Sequence, residues 1–350
     1  MRSFFRPAVD AMTGYVPGEQ PKPGTKIIKL NTNENPYPPS AKAMAILHQI
    51  DGEWLRRYPD PYARDFCSAV SQVLDVPTDW IIVGNGSDDV LNMLVRACAE
   101  GRERKIVYPT PTYVLYKTLA AMQPAEILEV PYSDNFELPI EALVEAQGAI
   151  TFIASPNSPS GHLVDTDQLR ELASRLNGVL AVDEAYVDFA SGSALALVRE
   201  FENVIVLRTM SKGYSLAGLR LGFGIAQPPL LAGMFKVKDS YNVDALAIHV
   251  GTASMLDQDY KKTCAEKVKA NRSQLAVDLK QLGFTVRESH GNFVLVTPPT
   301  DAETLYLALK ERGILVRYFS QPGLSDKLRI TVGTDEQNQM LLEALVSLLP

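Results

Sequence analysis

The chain has 350 residues, 46% hydrophobic and 21% charged, with a formal net charge of -7 and a pI near 5.3. This is globular rather than disordered composition, and the acidic balance argues against a nucleic-acid binder, whose contact face is basic. No apolar signal core opens the chain, no apolar run is long enough to span a bilayer, and scattered cysteines and histidines give neither a disulfide framework nor metal-ligand spacing. The expectation is a cytoplasmic protein with no membrane, metal or nucleic-acid partner.

Residues 1–40 are rich in Pro, Gly and Asn and read as an arm of extended and turn character. A helix follows Ser40, and after the break at RYPDPY another runs over 63–74. Strands are expected over 80–83, 105–108, 149–154, 179–182, 204–207 and 223–226, and helices over 88–99, 116–121 and 167–176. Short apolar runs bounded by turn residues and alternating with helices predict an α/β fold, a mostly parallel central sheet flanked by helices. From about Tyr241 the texture changes. A long charged helix covers 258–281, strands 292–297, 314–318 and 328–332, and helices 302–311 and 335–349. Thr300 with Glu303 and Thr334 with Gln337 have capping-box spacing. The expected organisation is an arm over 1–40, a large domain over 41–240 and a smaller α+β domain over 241–350.

Three expected strand ends carry polar groups. Asn157 follows one, Asp183-Glu184 ends the next, and Lys212 follows a third within RTMSKGYSLAGLRLG. Each alone has an ordinary reading: a turn residue, a cap, a solvated loop lysine. Together they place an amide, a carboxylate and an amine on the sheet edge where open α/β folds bind ligands. Shielded from water, the lysine amine tends toward its neutral, nucleophilic form. A carboxylate for a pyridine nitrogen and an amine for an imine are what pyridoxal 5'-phosphate requires.

Gly84-Asn-Gly-Ser87 lies between a strand and a helix, where backbone N–H groups bind anions. Alternatively Ser87 or Asp88 is simply an N-cap. No third glycine and no GxxxxGK[ST] occurs, so neither NAD nor ATP is favoured. Ser211 and Arg220 can serve the same anion. Tyr113 either stacks on a planar ring or packs in the core. Tyr186, three residues after Asp183, offers a phenol. Arg329 reads as a carboxylate binder or a surface ion pair.

LNTNENPYPPS, RYPDP, GNGSDD, SPNSPSG, VDEAYVDF, TMSKGYSLAGLRLG and LRITVGT, in this order, resemble the fold-type I pyridoxal-phosphate aminotransferases over nearly the whole chain. The resemblance implies that Lys212 carries the cofactor as a Schiff base. Asp183 would pair with the pyridine nitrogen, Asn157 and Tyr186 with the phenolic oxygen, and Tyr113 would stack on the ring. The backbone around Gly86 and Ser87, with Ser211 and Arg220, would hold the phosphate, and Asp88 and Thr209 would also contact the cofactor. Tyr58 would reach the partner subunit's phosphate, which implies a homodimer with shared sites. Arg329 would bind the substrate acid group, and Tyr15, Asn33 and Arg317 resemble substrate-contacting positions.

Within the family the likeness points to transamination of L-histidinol phosphate with 2-oxoglutarate, in histidine biosynthesis. Aromatic amino acid transamination and threonine-phosphate decarboxylation are the alternatives. The chain departs from common family patterns at Asp89, at Asn157-Ser-Pro-Ser-Gly161 and at Asn35-Pro-Tyr-Pro-Pro39. A ligand-binding regulator on this fold would carry a fused basic segment, for which no residues are spare, and a dehydrogenase would need the missing nucleotide fingerprint.

Overall fold

The computed structural model describes residues 3–12, 19, 24, 27–133 and 136–349. A short strand, β1 (Ile28–Lys29), precedes seven that form one sheet: β2 (Ile81–Gly84), β3 (Ile106–Thr110), β4 (Ile127–Pro131), β5 (Ile150–Ala154), β6 (Val179–Asp183), β7 (Val204–Thr209) and β8 (Gly222–Ala226). Their order is β2-β8-β7-β6-β5-β3-β4. β3 to β7 run parallel, and β8 lies antiparallel between β2 and β7. Every residue of β2, β5 and β8 is buried. Helices therefore cover both faces, and the strands read as continuous apolar runs rather than alternating ones.

β4 is absent from the sequence reading. It is the edge strand, only its Val130 is buried, and no apolar run marks it. The helices Ile140–Ala146, Pro228–Val237 and Ala245–Met255 were also not anticipated. In the last, apolar residues surround the whole helix, so no stripe signals it.

Beyond Gln258 a second sheet forms from β9 (Thr285–Val286), β10 (Phe293–Thr297), β12 (Arg317–Tyr318) and β13 (Leu328–Thr331), in the order β12-β13-β10-β9 and antiparallel throughout. β11 (Ile314–Leu315) pairs instead with β1, in parallel. The single strand expected over 314–318 is thus two, joined at Val316. Thr334 caps the helix Asp335–Leu348 in a full capping box. Thr300 does not act as a cap. The helix Ala302–Glu311 starts on Asp301, whose carboxylate accepts from Thr304 N at 2.8 Å.

Two cores follow. Val243, Ala247, Ile248 and Met255 join the core under the large sheet. Ala265, Val268 and Leu275 of the helix Gln258–Gln281 pack instead with β10, β13 and Leu30. Phe152 is fully buried and stacks on Tyr116 with ring centroids 4.6 Å apart. Truncating such a ring costs about 3–5 kcal/mol. Among the described residues no helix is long and apolar enough to cross a membrane, and no cluster could hold a metal ion.

Candidate active site

Register builds the site. Ala154, Asp183 and Leu207 form one row across β5, β6 and β7. The loops that follow these strands therefore start side by side. Because β8 is antiparallel, its first residue, Gly222, lies opposite both Thr209 and Gly84. Arg220 and the turn at Gly86 thereby reach the same edge. A cavity of about 880 Å³ opens there, lined by Asn33, Ser87, Asp88, Tyr113, Asp183, Tyr186, Thr209, Ser211, Lys212, Arg220, Arg317 and Arg329, among others.

Lys212 Nζ donates to Thr32 O at 3.0 Å and lies 5.9 Å from the Tyr186 ring centroid. Burial pushes the amine below the usual lysine range. The nearby Tyr186 opposes this, and the Arg329 charge adds to it. Asn35 Nδ2 fixes the peptide by donating to Lys212 O at 3.0 Å. Asp183 is 5% exposed. Its Oδ2 accepts from the Tyr116 hydroxyl at 2.9 Å and its Oδ1 from Ala185 N at 3.1 Å. Burial raises this carboxyl to about 6, while the Tyr116 hydrogen bond pulls it down. One cavity thus holds an amine that sheds its proton more easily than usual and a carboxylate that holds one longer.

The helix Ser87–Cys98 begins on Gly86, with no side-chain cap. Ser87 and Asp88 are therefore first-turn residues rather than caps, and their N–H groups lack intrahelical acceptors. Gly86 has φ 83°, and a Cβ there would lie 2.6 Å from Arg220 Nη2. A Cβ on Gly222 would lie 2.2 Å from Ser87 N. Glycine at both positions lets a guanidinium and a helix N-terminus close on one point, a cradle for an anion. Arg220 reaches Ser211 Oγ and Asp88 Oδ2, each at 3.4 Å. Thr209 Oγ1 donates to Ser211 Oγ at 3.0 Å. Tyr113 borders the cavity and donates to Asp88 Oδ1 at 3.2 Å.

Arg317 and Arg329 face one another across β12 and β13. Like charges directly opposite destabilise a sheet. Both guanidinium groups nevertheless lie over Phe319, 5.6 and 5.7 Å from its centroid. Arg329 is tied to two loops. Its Nη1 donates to Ser158 Oγ at 2.9 Å and its Nη2 to Asn31 O at 3.0 Å. Asn33 Nδ2 donates to Tyr186 Oη at 2.9 Å, and Asn33 Oδ1 accepts from Thr331 Oγ1 at 3.0 Å.

Asn157 differs from expectation. It is fully buried and is not part of the cavity wall. Its Nδ2 donates to Pro111 O and Ser160 Oγ, and its Oδ1 accepts from Thr112 Oγ1 at 2.7 Å. Here it holds two loops together, and the neighbouring Ser158 borders the cavity instead. Tyr58 also lies outside the cavity. It is 82% exposed and stacks on Tyr241 at 4.5 Å. Tyr15 lies outside the described residues. The sequence reading missed Thr32, Ser158, Phe319 and Tyr116. Tyr116 falls in an expected helix, but nothing local shows that it meets Asp183.

Comparison with known proteins agrees with this geometry. The family model for aminotransferase class I and II matches residues 25–345. Histidinol-phosphate aminotransferase 1 of Trichormus variabilis is 64% identical over 350 residues, covering 100% of both chains. The histidinol-phosphate aminotransferase of Citrifermentans bemidjiense is 45% identical over 347 residues, covering 99% of each. The crystal structure of histidinol-phosphate aminotransferase from Sinorhizobium meliloti, in complex with pyridoxal-5'-phosphate, superposes with a TM-score of 0.89 at 24% identity over 99% of each chain. That likeness shows the fold, the fold-type I architecture expected from the sequence.

Proposed function

The chain belongs to the class I and II aminotransferases, and on that premise we propose that it is a pyridoxal-phosphate enzyme acting on L-histidinol phosphate and 2-oxoglutarate. Its products would be imidazole acetol phosphate and glutamate, in histidine biosynthesis. The observation that carries the substrate reading is the Arg317–Arg329 pair in the same cavity as Lys212 and Asp183. Both arginines border the cavity, and both substrates carry an anion that a guanidinium can bind: a phosphate in the donor, a second carboxylate in the acceptor.

The residues fit the cofactor. The cradle at Gly86 and Gly222, with Ser211, Thr209 and Arg220, suits its phosphate. Lys212 suits its aldehyde, Asp183 its ring nitrogen, Tyr186 its phenolic oxygen and Tyr113 its ring face. When bound, pyridoxal phosphate supplies an electron sink for the pair left at the substrate Cα.

The protein's own part is positional and acid–base. Lys212 Nζ, whose pKa burial lowers, takes the proton from the substrate Cα and returns it elsewhere. Such a positioned base contributes about 10²–10⁴ in rate. Ionised Asp183 would keep a proton on the cofactor's ring nitrogen, and Tyr116 holds that carboxylate in place. Asn33 orients the Tyr186 hydroxyl. Arg317 and Arg329 fix the substrate so that the bond to be broken stays aligned.

The same reading includes a cytoplasmic homodimer, with Tyr58 serving the partner subunit's phosphate site. Its support is an exposed apolar group on one stretch of chain, Leu55 at 64%, Tyr58 at 82% and Tyr62 at 54%, which is the kind of surface a partner covers. The test is turnover by the purified holoenzyme with L-histidinol phosphate, phenylalanine and threonine phosphate, reading glutamate and carbon dioxide separately. Glutamate formation with the largest kcat/KM for L-histidinol phosphate is expected. Carbon dioxide release in place of glutamate would overturn the reading.

A further inference from the structure

Among the described residues three carboxylates border the cavity: Asp88, Asp183 and Glu34. Asp88 faces Arg220 and the Tyr113 hydroxyl, and Asp183 faces Tyr116. No hydrogen bond joins Glu34 to either of them, although its charge favours the protonated Lys212 amine. It follows Asn33, whose φ of 55° is in the left-handed region. Its side chain is 44% exposed, although Asn31 and Asn33 beside it are buried.

Glu34 is nevertheless fixed. Lys29 Nζ donates to its two oxygens at 2.6 and 2.7 Å, and to Thr32 Oγ1 at 2.7 Å. A carboxylate offers about four lone-pair sites. Lys29 takes two, which leaves acceptor capacity toward the cavity.

A second observation points the same way. Asn31 borders the cavity and is 3% exposed. Its Nδ2 donates to Glu19 O at 3.0 Å, while its Oδ1 has no hydrogen-bond partner among the described residues. A buried acceptor without a donor is unfavourable unless a ligand provides one. Glu34 and Asn31 Oδ1 are both acceptors, in a cavity whose cations, Arg317 and Arg329, are suited to anions.

The geometry points to Glu34, oriented by Lys29, as the residue that selects the amino donor by accepting an N–H from its ring, with Asn31 Oδ1 as the second acceptor. This rests on the proposed function, because the imidazole is what separates that donor from the dicarboxylate. Glutamate and 2-oxoglutarate carry no ring N–H, and their second carboxylate goes to Arg317 and Arg329, so they leave both acceptors unused. A site built to accept a hydrogen bond rejects a ligand that cannot donate one.

The test compares wild-type and Glu34→Gln holoenzyme in two half-reactions, with L-histidinol phosphate and with L-glutamate, together with calorimetric binding of L-histidinol phosphate and the thermal midpoint. The kcat/KM ratio of histidinol phosphate to glutamate should fall roughly ten- to a hundredfold, the equivalent of one hydrogen bond to a charged group. The dissociation constant for L-histidinol phosphate should rise in parallel, with the thermal midpoint held. An unchanged ratio, or equal losses in both half-reactions with a lowered midpoint, overturns the assignment and leaves the proposed function standing. Lys29→Met should shift the ratio in the same direction, because Glu34 loses its orientation. Wild-type enzyme inert toward L-histidinol phosphate would overturn the proposed function itself, and this inference with it.

Discussion

The Tyr116 hydroxyl donates to Asp183 Oδ2 at 2.9 Å, and both side chains are buried. This contact opposes the effect of burial on the carboxylate on which the site depends. Burial alone would hold Asp183 protonated further into the neutral range, and Tyr116 opposes it. Tyr116→Phe should therefore raise the Asp183 pKa above about 6. A hydrogen bond to a charged group is worth about 1.5–3 kcal/mol, so the acid limb of kcat/KM should move up by roughly one to two pH units. At pH 9 the variant should approach wild type. A pH–rate profile checks this, and an unmoved acid limb would show that Tyr116 only packs.

Asp183 also links pH to the stability of the cofactor-free protein. Its folded pKa, about 6, lies above the ordinary aspartate value of 3.8. A raised carboxyl pKa gives a contribution that is full below pH 3.8 and lost as pH rises through about 6. Asp183→Asn should accordingly make the apo protein more stable at pH 8, by an amount on the order of 3 kcal/mol at most, while abolishing turnover. Near pH 4 the two proteins should melt alike. Denaturant titrations at the two pH values decide it.

Lys212→Ala should remove turnover and still bind pyridoxal phosphate, since the cradle at Gly86, Ser211 and Arg220 is untouched. Borohydride reduction of the wild-type holoenzyme should label residue 212, and the variant should carry no label. A variant turning over at the wild-type rate would remove Lys212 from its role.

Gly86→Ala should weaken the cofactor. The Gly86 backbone, φ 83° and ψ 165°, lies in a region essentially restricted to glycine and costs another residue about 1–3 kcal/mol, and the new methyl would meet Arg220 Nη2. A dissociation constant for pyridoxal phosphate raised about tenfold or more is expected. Fluorescence titration of the apo protein measures it.

Mixing two inactive variants tests whether sites are shared. If Tyr58 serves the partner subunit's site, Tyr58→Ala and Lys212→Ala chains refolded together should recover about a quarter of wild-type activity, because half the dimers are mixed and each has one intact site. No recovery would place Tyr58 outside the reaction.

The sequence alone located most strands, because β2, β5, β7 and β8 are short apolar runs that no other element explains. It located the site's edge as well, since Asp183 and Lys212 are polar groups at the ends of such runs. Where local pattern was ambiguous, it failed. β4 is half-exposed, Thr300 lost its cap position to Asp301, and the helix Ala245–Met255 is apolar all round. Only the tertiary structure decided which way the polar groups face. It turned Asn157 into the loops and Glu34 to the cavity, set Arg317 opposite Arg329 through antiparallel register, and brought Tyr116 onto Asp183 from 67 residues away. Composition and periodicity are carried by neighbours along the chain. Register, burial and hydrogen-bond partners arise between segments far apart in it, and those contacts fix the protonation of Asp183 and Lys212.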